Sequence, residues 1–472
     1  MQLYKQFCNE EFNSDNTLKS FKLKFEDNYN FGYDVLDKMA EKAPNDIALV
    51  WTNPEGEERI FTFADLSRLS NKAANVFLKY GIKKGDRVLL MLKRNYEYWY
   101  IVTALHKLGV VAIPATNMFT AEDISYRVNV ANIKMAVCTP DSETIEHLLT
   151  AANRENSLKT VFVAREDFDG TVNITKEIEA ASDELERVET KADEPMLIYF
   201  TSGTTGYPKA VVHNHIYSLC HIISAKYWQN VKEGGLHFSI AETGWAKASY
   251  GKIYGQWLCG CAVMAFDFDK FSPSKILKVI EKFKVTSFCA PPTAYRYFVK
   301  KGMQKYDLSS LEYLTTAGEA LNPIVAEAVY QQTGLHPMEG YGQSETTLLI
   351  ANLNGTHGKT GSIGKPSPMY NIKLVDSNGD EVKQGETGEI VVVPPKDRKQ
   401  YGIFTGYIGD EQMYHYAWRN GMYHTNDTAY MDEDGYFWYV GRADDLIKTR
   451  GYRVGPFEIE NVLMKHPAVL EC

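Results

Sequence analysis

Short apolar runs rich in β-formers recur along this 472-residue chain, and longer stretches with apolar residues at helical spacing lie between them. That alternation constrains the fold more than any other feature. Residues 87–92, 134–138, 160–164, 287–290 and 313–317 predict strands, whereas 62–81 and 272–284 predict helices. Strands joined through helices pair in parallel, so the expected class is α/β, with helices covering the faces of a parallel sheet. A chain this long exceeds what one hydrophobic core carries, so more than one domain or subdomain is expected. The pattern changes after about Tyr370. There, NIKLVDSNGDEVKQGETGEIVVV holds two strands around Asn-Gly-Asp and Gly-Glu-Thr-Gly turns, and a second hairpin turns at Asp434-Gly435. Both predict a small β-meander or barrel. The acidic stretch 179–194 reads as a surface linker.

The charge balance narrows the partners. A net charge of -9 argues against nucleic acid or an anionic membrane as the main partner, and leaves room for a local basic pocket. The seven cysteines stand singly apart from Cys259-Gly-Cys261, so no zinc-type pairing is expected and small buried thiols are. That usage, and an N-terminus without an apolar signal-peptide core, give a reducing, cytosolic location as the expectation. No run approaches the ~20 apolar residues of a membrane span. Nothing in the sequence speaks to oligomeric state.

Residues 199–215, YFTSGTTGYPKAVVHNH, set a hydroxyl-rich loop between predicted strands at 196–200 and 210–213. The loop holds Thr201, Ser202, Gly203, Thr204, Thr205 and Gly206, with Lys209 after it. The usual nucleotide loop reads G-x-x-x-x-G-K-S/T. Here Gly203 and Gly206 stand too close together, and no hydroxyl follows Lys209. Small residues let backbone N–H groups approach an anion, hydroxyls add donors, and Lys209 adds charge. On its composition alone the segment is equally a flexible Thr/Gly turn.

Four further motifs follow in order: TTAGEALNP (315–323), EGYGQSETT (339–347), YHTNDTAYMDEDGYFWYVGRADDLIK (423–448) and RGYRVGPFEIE (450–460). Together with YFTSGTTGYPK they resemble the core motifs of the adenylate-forming superfamily over nearly the whole chain. IPATNMFTAEDISYR (113–127), ETGWAKASYGKIYG (242–255) and GYRVGPFEIE resemble the medium-chain acyl-CoA synthetases among them. In that family a carboxylic acid and ATP give an acyl-adenylate and pyrophosphate, and coenzyme A then displaces AMP to form a thioester.

The resemblance implies a large N-terminal domain, 1–443, of two parallel-sheet subdomains plus a small β-barrel-like one. The start of a small C-terminal domain, 444–472, would follow. It implies ATP, Mg2+ and coenzyme A as cofactor and co-substrates, and a medium-chain, branched or aromatic acid. The loop 201–209 would cradle the departing pyrophosphate, and Gly318, Glu319 and Ala320 would line the adenine pocket. Glu339, Gly340, Tyr341, Gly342, Gln343 and Ser344 would contact the nucleotide, with Tyr341 stacked on adenine; Ser344 stands where the family usually has Thr. Glu345 would bind magnesium, and Asp427 would grip the ribose hydroxyls with Tyr439 nearby. Arg442 would contact ribose or phosphate. Lys209, Glu345 and Arg442 are the catalytic candidates.

Asp444 matches the family's hinge, and Gly451, Tyr452 and Arg453 the loop that rotation brings to the site; Arg450 departs from the small residue common there. Trp245, Gly318 and Gly342 match acyl-pocket positions, and Gly342 replaces the Trp that closes the floor in acetate-specific members. Trp245 reads equally as a core aromatic. Family members run on beyond the hinge to a lysine in a P-K-S/T-x-S/T-G-K context, which is not found here, so the expectation is a truncated, slowly adenylating form. Two other readings stand beside the ligase. One is an amino-acid adenylation domain, which would place Asp just after the pocket aromatic where this chain has Ala246 and Lys247; the other is a non-catalytic nucleotide-binding fragment.

Overall fold

The computed structural model describes residues 2–201, 207–356, 358–443, 447–449 and 452–454, together with residues 459, 462, 463, 466 and 469. Two large sheets and one smaller sheet organise it. The first has eight strands in the order Gly406–Tyr407, Lys209–Asn214, Pro195–Thr201, Val111–Pro114, Arg87–Met91, Met135–Cys138, Thr160–Val163, Val172–Asn173. Its middle is parallel, and one edge turns antiparallel at Pro195–Thr201 with Lys209–Asn214. Val111–Pro114 and Met135–Cys138 are buried at every position, as expected of parallel strands covered on both faces.

The second sheet has nine strands. Its parallel centre runs Pro337–Tyr341, Tyr313–Ala317, Ser287–Cys289, Leu236–Ser239, Ala262–Phe266, Ile47–Thr52. All five predicted strands are present within a residue of their expected ends.

The predicted helices form as Phe63–Lys79 and Pro273–Phe283. Thr62 and Asp65 close a reciprocal capping box at the start of the first, satisfying two backbone donors that a helix N-terminus leaves open. Proline opens the second, where its missing N–H costs nothing, and Lys284 ends it in the left-handed region at φ 53°. Between the sheets, helix Glu97–Lys107 is buried along its whole length. Trp99 Nε1 donates to the Lys252 carbonyl at 2.6 Å and Trp257 Nε1 to the Ala48 carbonyl at 3.0 Å, so both indoles fill the core without leaving an N–H unmet.

Two expectations are refined. The acidic stretch is on the surface but is not loose: Asn75 Nδ2 donates to the Ser182 and Glu184 carbonyls at 2.8 Å, Lys84 Nζ to the Glu189 carbonyl at 2.8 Å, and Arg187 pairs with Asp34 at 2.8 Å. The third sheet is antiparallel as the hairpins require, in the order Asn371–Val375, Gly388–Val393, Tyr423–Met431, Phe437–Arg442. Its first and last strands do not pair, so it is an open sheet and not a barrel. Turn chemistry selects hairpin partners; it does not select closure.

Candidate functional site

The three sheets meet at a cavity of about 960 Å³. Strands Tyr313–Ala317 and Pro337–Tyr341 are parallel, and the loops after their carboxyl ends carry Gly318, Glu319 and Ala320, and Gly342 to Glu345. Outside the carboxyl ends of parallel strands no further strand covers the sheet, so a ligand finds room there. The first sheet contributes Thr201 and Lys209, and the small sheet contributes Asp427, Tyr439 and Arg442.

Asp427 is buried on its strand and gathers four donors. Its Oδ2 accepts from the Tyr341 hydroxyl and from Gln343 Nε2, both at 2.6 Å, and its Oδ1 accepts from the Tyr439 hydroxyl at 3.1 Å with Arg442 at 3.6 Å. Burial pushes its carboxyl above the usual range, and Tyr341 and Arg442 pull it back. A carboxylate offers about four acceptor sites; among the described residues three are taken by hydrogen bonds, with Arg442 standing off as an ion pair. Gln343 is itself fixed, donating to the Thr425 carbonyl at 2.8 Å and accepting from the Tyr423 hydroxyl at 2.7 Å.

Glu345 forms a second corner. Its Oε1 accepts from the Tyr407 hydroxyl at 2.9 Å, and Lys209 Nζ stands 5.7 Å from the Tyr407 ring centre. Burial raises the Glu345 carboxyl, while Tyr407, Lys209 and Arg442 stabilise its ionised form. The corner sets one carboxyl beside two cations.

Several predicted residues make further contacts at the cavity. Tyr341 directs its hydroxyl at Asp427. Glu339 is buried, its Oε1 accepting from the Leu321 N–H at 3.0 Å, and burial pushes its carboxyl up to about 8. Glu319 accepts from the Thr293 hydroxyl at 2.6 Å, which ties it to the helix Pro292–Lys301. Ser344 accepts from His213 Nε2 through its carbonyl at 2.7 Å. A β-carbon on Gly340 would stand 2.6 Å from the Trp228 indole, and one on Gly342 would stand 2.6 Å from Tyr250 Oη and 2.7 Å from the Thr347 carbonyl. Gly342 is therefore demanded by close approach, beyond any room it leaves for an acid. Trp245 is 54% exposed and lines the cavity wall, which removes the reading as a core aromatic.

Ser202, Gly203, Thr204, Thr205, Gly206, Asp444 and Gly451 lie outside the described residues. Tyr452 and Arg453 belong to the short strand Tyr452–Val454, which pairs with Ile447–Thr449. Among the lining residues that went unrecognised as site residues in the sequence are Tyr407, Tyr423 and Lys247. Only Lys247 left a usable signal, a cation inside the apolar WAKASYG stretch, one helical turn from Tyr250.

A family model described as AMP-binding enzyme matches residues 36–408. The chain belongs to that family. This AMP-binding enzyme is 37% identical over 466 residues to acyl-coenzyme A synthetase ACSM3, mitochondrial, of Homo sapiens, covering 97% of this chain and 79% of the relative. It is 39% identical over 457 residues to acyl-coenzyme A synthetase ACSM4, mitochondrial, of Mus musculus, covering 94% and 77%. Among solved structures, the anthranilate CoA ligase AuaEII in complex with anthranoyl-AMP superposes with a TM-score of 0.88 at 26% identity, over 95% of this chain and 84% of that one. The expected cytosolic location is overturned, because these relatives, and ACSM5 of Mus musculus, are named mitochondrial. Composition and thiol usage do not distinguish two reducing compartments. No described helix is long and apolar enough to cross a membrane.

Proposed function

We propose that this AMP-forming acyl-CoA ligase activates a medium-chain, branched or aromatic acid in the cavity between the three sheets. The ligase class itself is carried by relatives named acyl-coenzyme A synthetase, at 37% identity over 97% of the chain. The site roles and the division at 443/444 are our reading. The observation that carries the site roles is that the buried Asp427 cluster, the Glu345–Tyr407–Lys209 corner and the Trp245–Gly318 wall all open on one cavity.

In this reading Asp427 accepts from ribose hydroxyls, with Tyr341 and Tyr439 as hydroxyl neighbours able to accept as well as donate. The loop 201–209 and Lys209 meet the phosphates, so that positive charge and donors stand where the leaving pyrophosphate gains negative charge. Glu345 fits a magnesium ion, because such a hard cation takes one or two carboxylates plus substrate phosphates in place of an all-protein cage. Among the described residues no group of three His, Cys, Asp or Glu side chains offers such a cage. When bound, the ion would neutralise phosphate charge. Arg442, held beside Asp427, reaches the same end of the cavity. Coenzyme A is the acceptor in the second half-reaction.

The amino-acid reading is disfavoured by Lys247, whose ammonium lines the cavity and would repel a substrate ammonium. Pyrophosphate exchange into ATP, run with fatty acids, benzoates and amino acids in turn, tests the assignment. Exchange with the first two classes supports it, and exchange with amino acids alone overturns it.

A further inference from the structure

Around Trp245, Ala317 and Gly318 the cavity lining carries one cation, Lys247, and one carboxylate, Glu319. Lys247 opens the short helix Lys247–Gly251 between Trp245 and Tyr250, and lines the cavity with Cys289, Ala317 and Gly318. An ammonium carries three donors. Among the described residues, Lys247 Nζ donates only to the Ala317 carbonyl. The Glu319 carboxylate nearby is engaged by Thr293 through both hydroxyl and backbone N–H. Desolvation accordingly lowers the Lys247 pKa.

Gly318 leaves this ammonium open to the cavity. A β-carbon there would stand 3.5 Å from Lys247 Nζ and would meet nothing else within 4 Å, and φ of +99° reserves the position for glycine. The ionisable neighbours of Lys247 are Cys289 and Glu319, whereas Lys209 and Arg442, the cations assigned above to the phosphates, lie beside Glu345 and Asp427. The reacting carboxylate belongs to that end, so Lys247 meets the body of the acid.

A plain alkyl or aryl group packed over Lys247 would strip water from its remaining N–H groups and give nothing back. An oxygen on the acid offsets that cost with a charge-assisted hydrogen bond. We propose that Lys247 makes this ligase select carboxylic acids that carry a second oxygen acceptor, a hydroxyl, oxo or carboxylate group, on the part lying against helix Lys247–Gly251. This deepens the acyl-CoA ligase reading of the same cavity and rests on it. Lys247 is then a specificity residue and takes no part in the bond changes.

The test compares kcat/KM for thioester formation within matched sets: hexanoate, 6-hydroxyhexanoate and adipate; benzoate and its 2-, 3- and 4-hydroxy forms. In the unaltered protein the best oxygenated acid should exceed its plain partner by about 10–100-fold, the value of one hydrogen bond to a charged group. Lys247→Met should bring that ratio to about one or below. Lys247→Gln, which keeps a donor but no charge, should retain the preference for hydroxy acids and lose it for adipate, a pattern that a merely structural lysine would not produce. Plain acids preferred in every set by the unaltered protein would overturn the proposal, whatever the variants do. So would a ratio that Lys247→Met leaves unchanged. A protein that activates no acid of either kind fails the ligase reading itself and takes this inference with it, a result distinct from activity on plain acids alone.

Discussion

Replacing Glu339 with Gln should stabilise the protein at alkaline pH and much less at acid pH. Glu339 sits in register with Thr316, with almost no exposed surface, and its carboxyl accepts from backbone N–H groups of Leu321 and Gly361. Two such donors favour the charged form, but burial outweighs them and raises the pKa from 4.5 to about 8. The folded state therefore holds a proton that the unfolded chain releases. The sign follows: stability from this group is complete below pH 4.5 and is lost as pH rises to about 8. At 1.36 kcal/mol per pH unit the whole interval is worth about 5 kcal/mol as an upper limit. Gln does not titrate, so the variant escapes the loss. With an unfolding entropy of ~2.1 cal/mol/K per residue, a chain of this size shifts Tm by about 1 °C per kcal/mol. The Tm difference, variant minus unaltered protein, should thus open by up to about 5 °C between pH 5 and pH 8.5, measured without nucleotide. A difference that stays flat or closes over that range would refute the reasoning that burial governs this carboxyl.

Three further outcomes are expected. ATP or AMP should raise the Tm of the unaltered protein by mass action, and Asp427→Ala should remove most of that rise; an undiminished shift takes Asp427 out of the ribose site. Lys209→Met should lower kcat for adenylate formation by ~10²–10³ while AMP affinity, from equilibrium titration, changes far less; equal losses in both would make Lys209 a general binding residue. Gly342→Ala should cost about 1–3 kcal/mol through crowding against Tyr250 and Thr347, seen as a lower Tm. Gly342→Trp should then lose activity on all acids before any clean preference for acetate emerges, and a stable, acetate-selective Trp variant would contradict that.

Much of the framework could be read from sequence because parallel strands buried on both faces are continuous apolar runs: 134–138 and 160–164 admit few other structures. The residues proposed for ribose and metal were singled out by the resemblance of their motifs to the adenylate-forming superfamily, and the structure brings them to one cavity. Asp427, Tyr341 and Glu345 lie in compact motifs at strand ends, where one local segment supplies several contacts. What escaped depends on distant segments. Tyr407 meets Glu345 across 62 positions, and Tyr250 forbids a side chain at Gly342 from 92 positions away. Hairpin turns gave the strand partners of the small sheet without saying that its edges stay open. The acidic stretch carried no sign of Asn75 and Lys84, whose amide and ammonium groups strap its carbonyls down.

The central claim is that this cavity joins a carboxylic acid to coenzyme A through AMP. The most direct measurement incubates the protein with ATP, magnesium, coenzyme A and the acid panel, and counts AMP and acyl-thioester by mass spectrometry. The account predicts AMP and thioester in equal amounts, only when a carboxylic acid is present, and neither from Asp427→Ala. ATP cleaved to ADP, or AMP formed equally well without any acid, would contradict it.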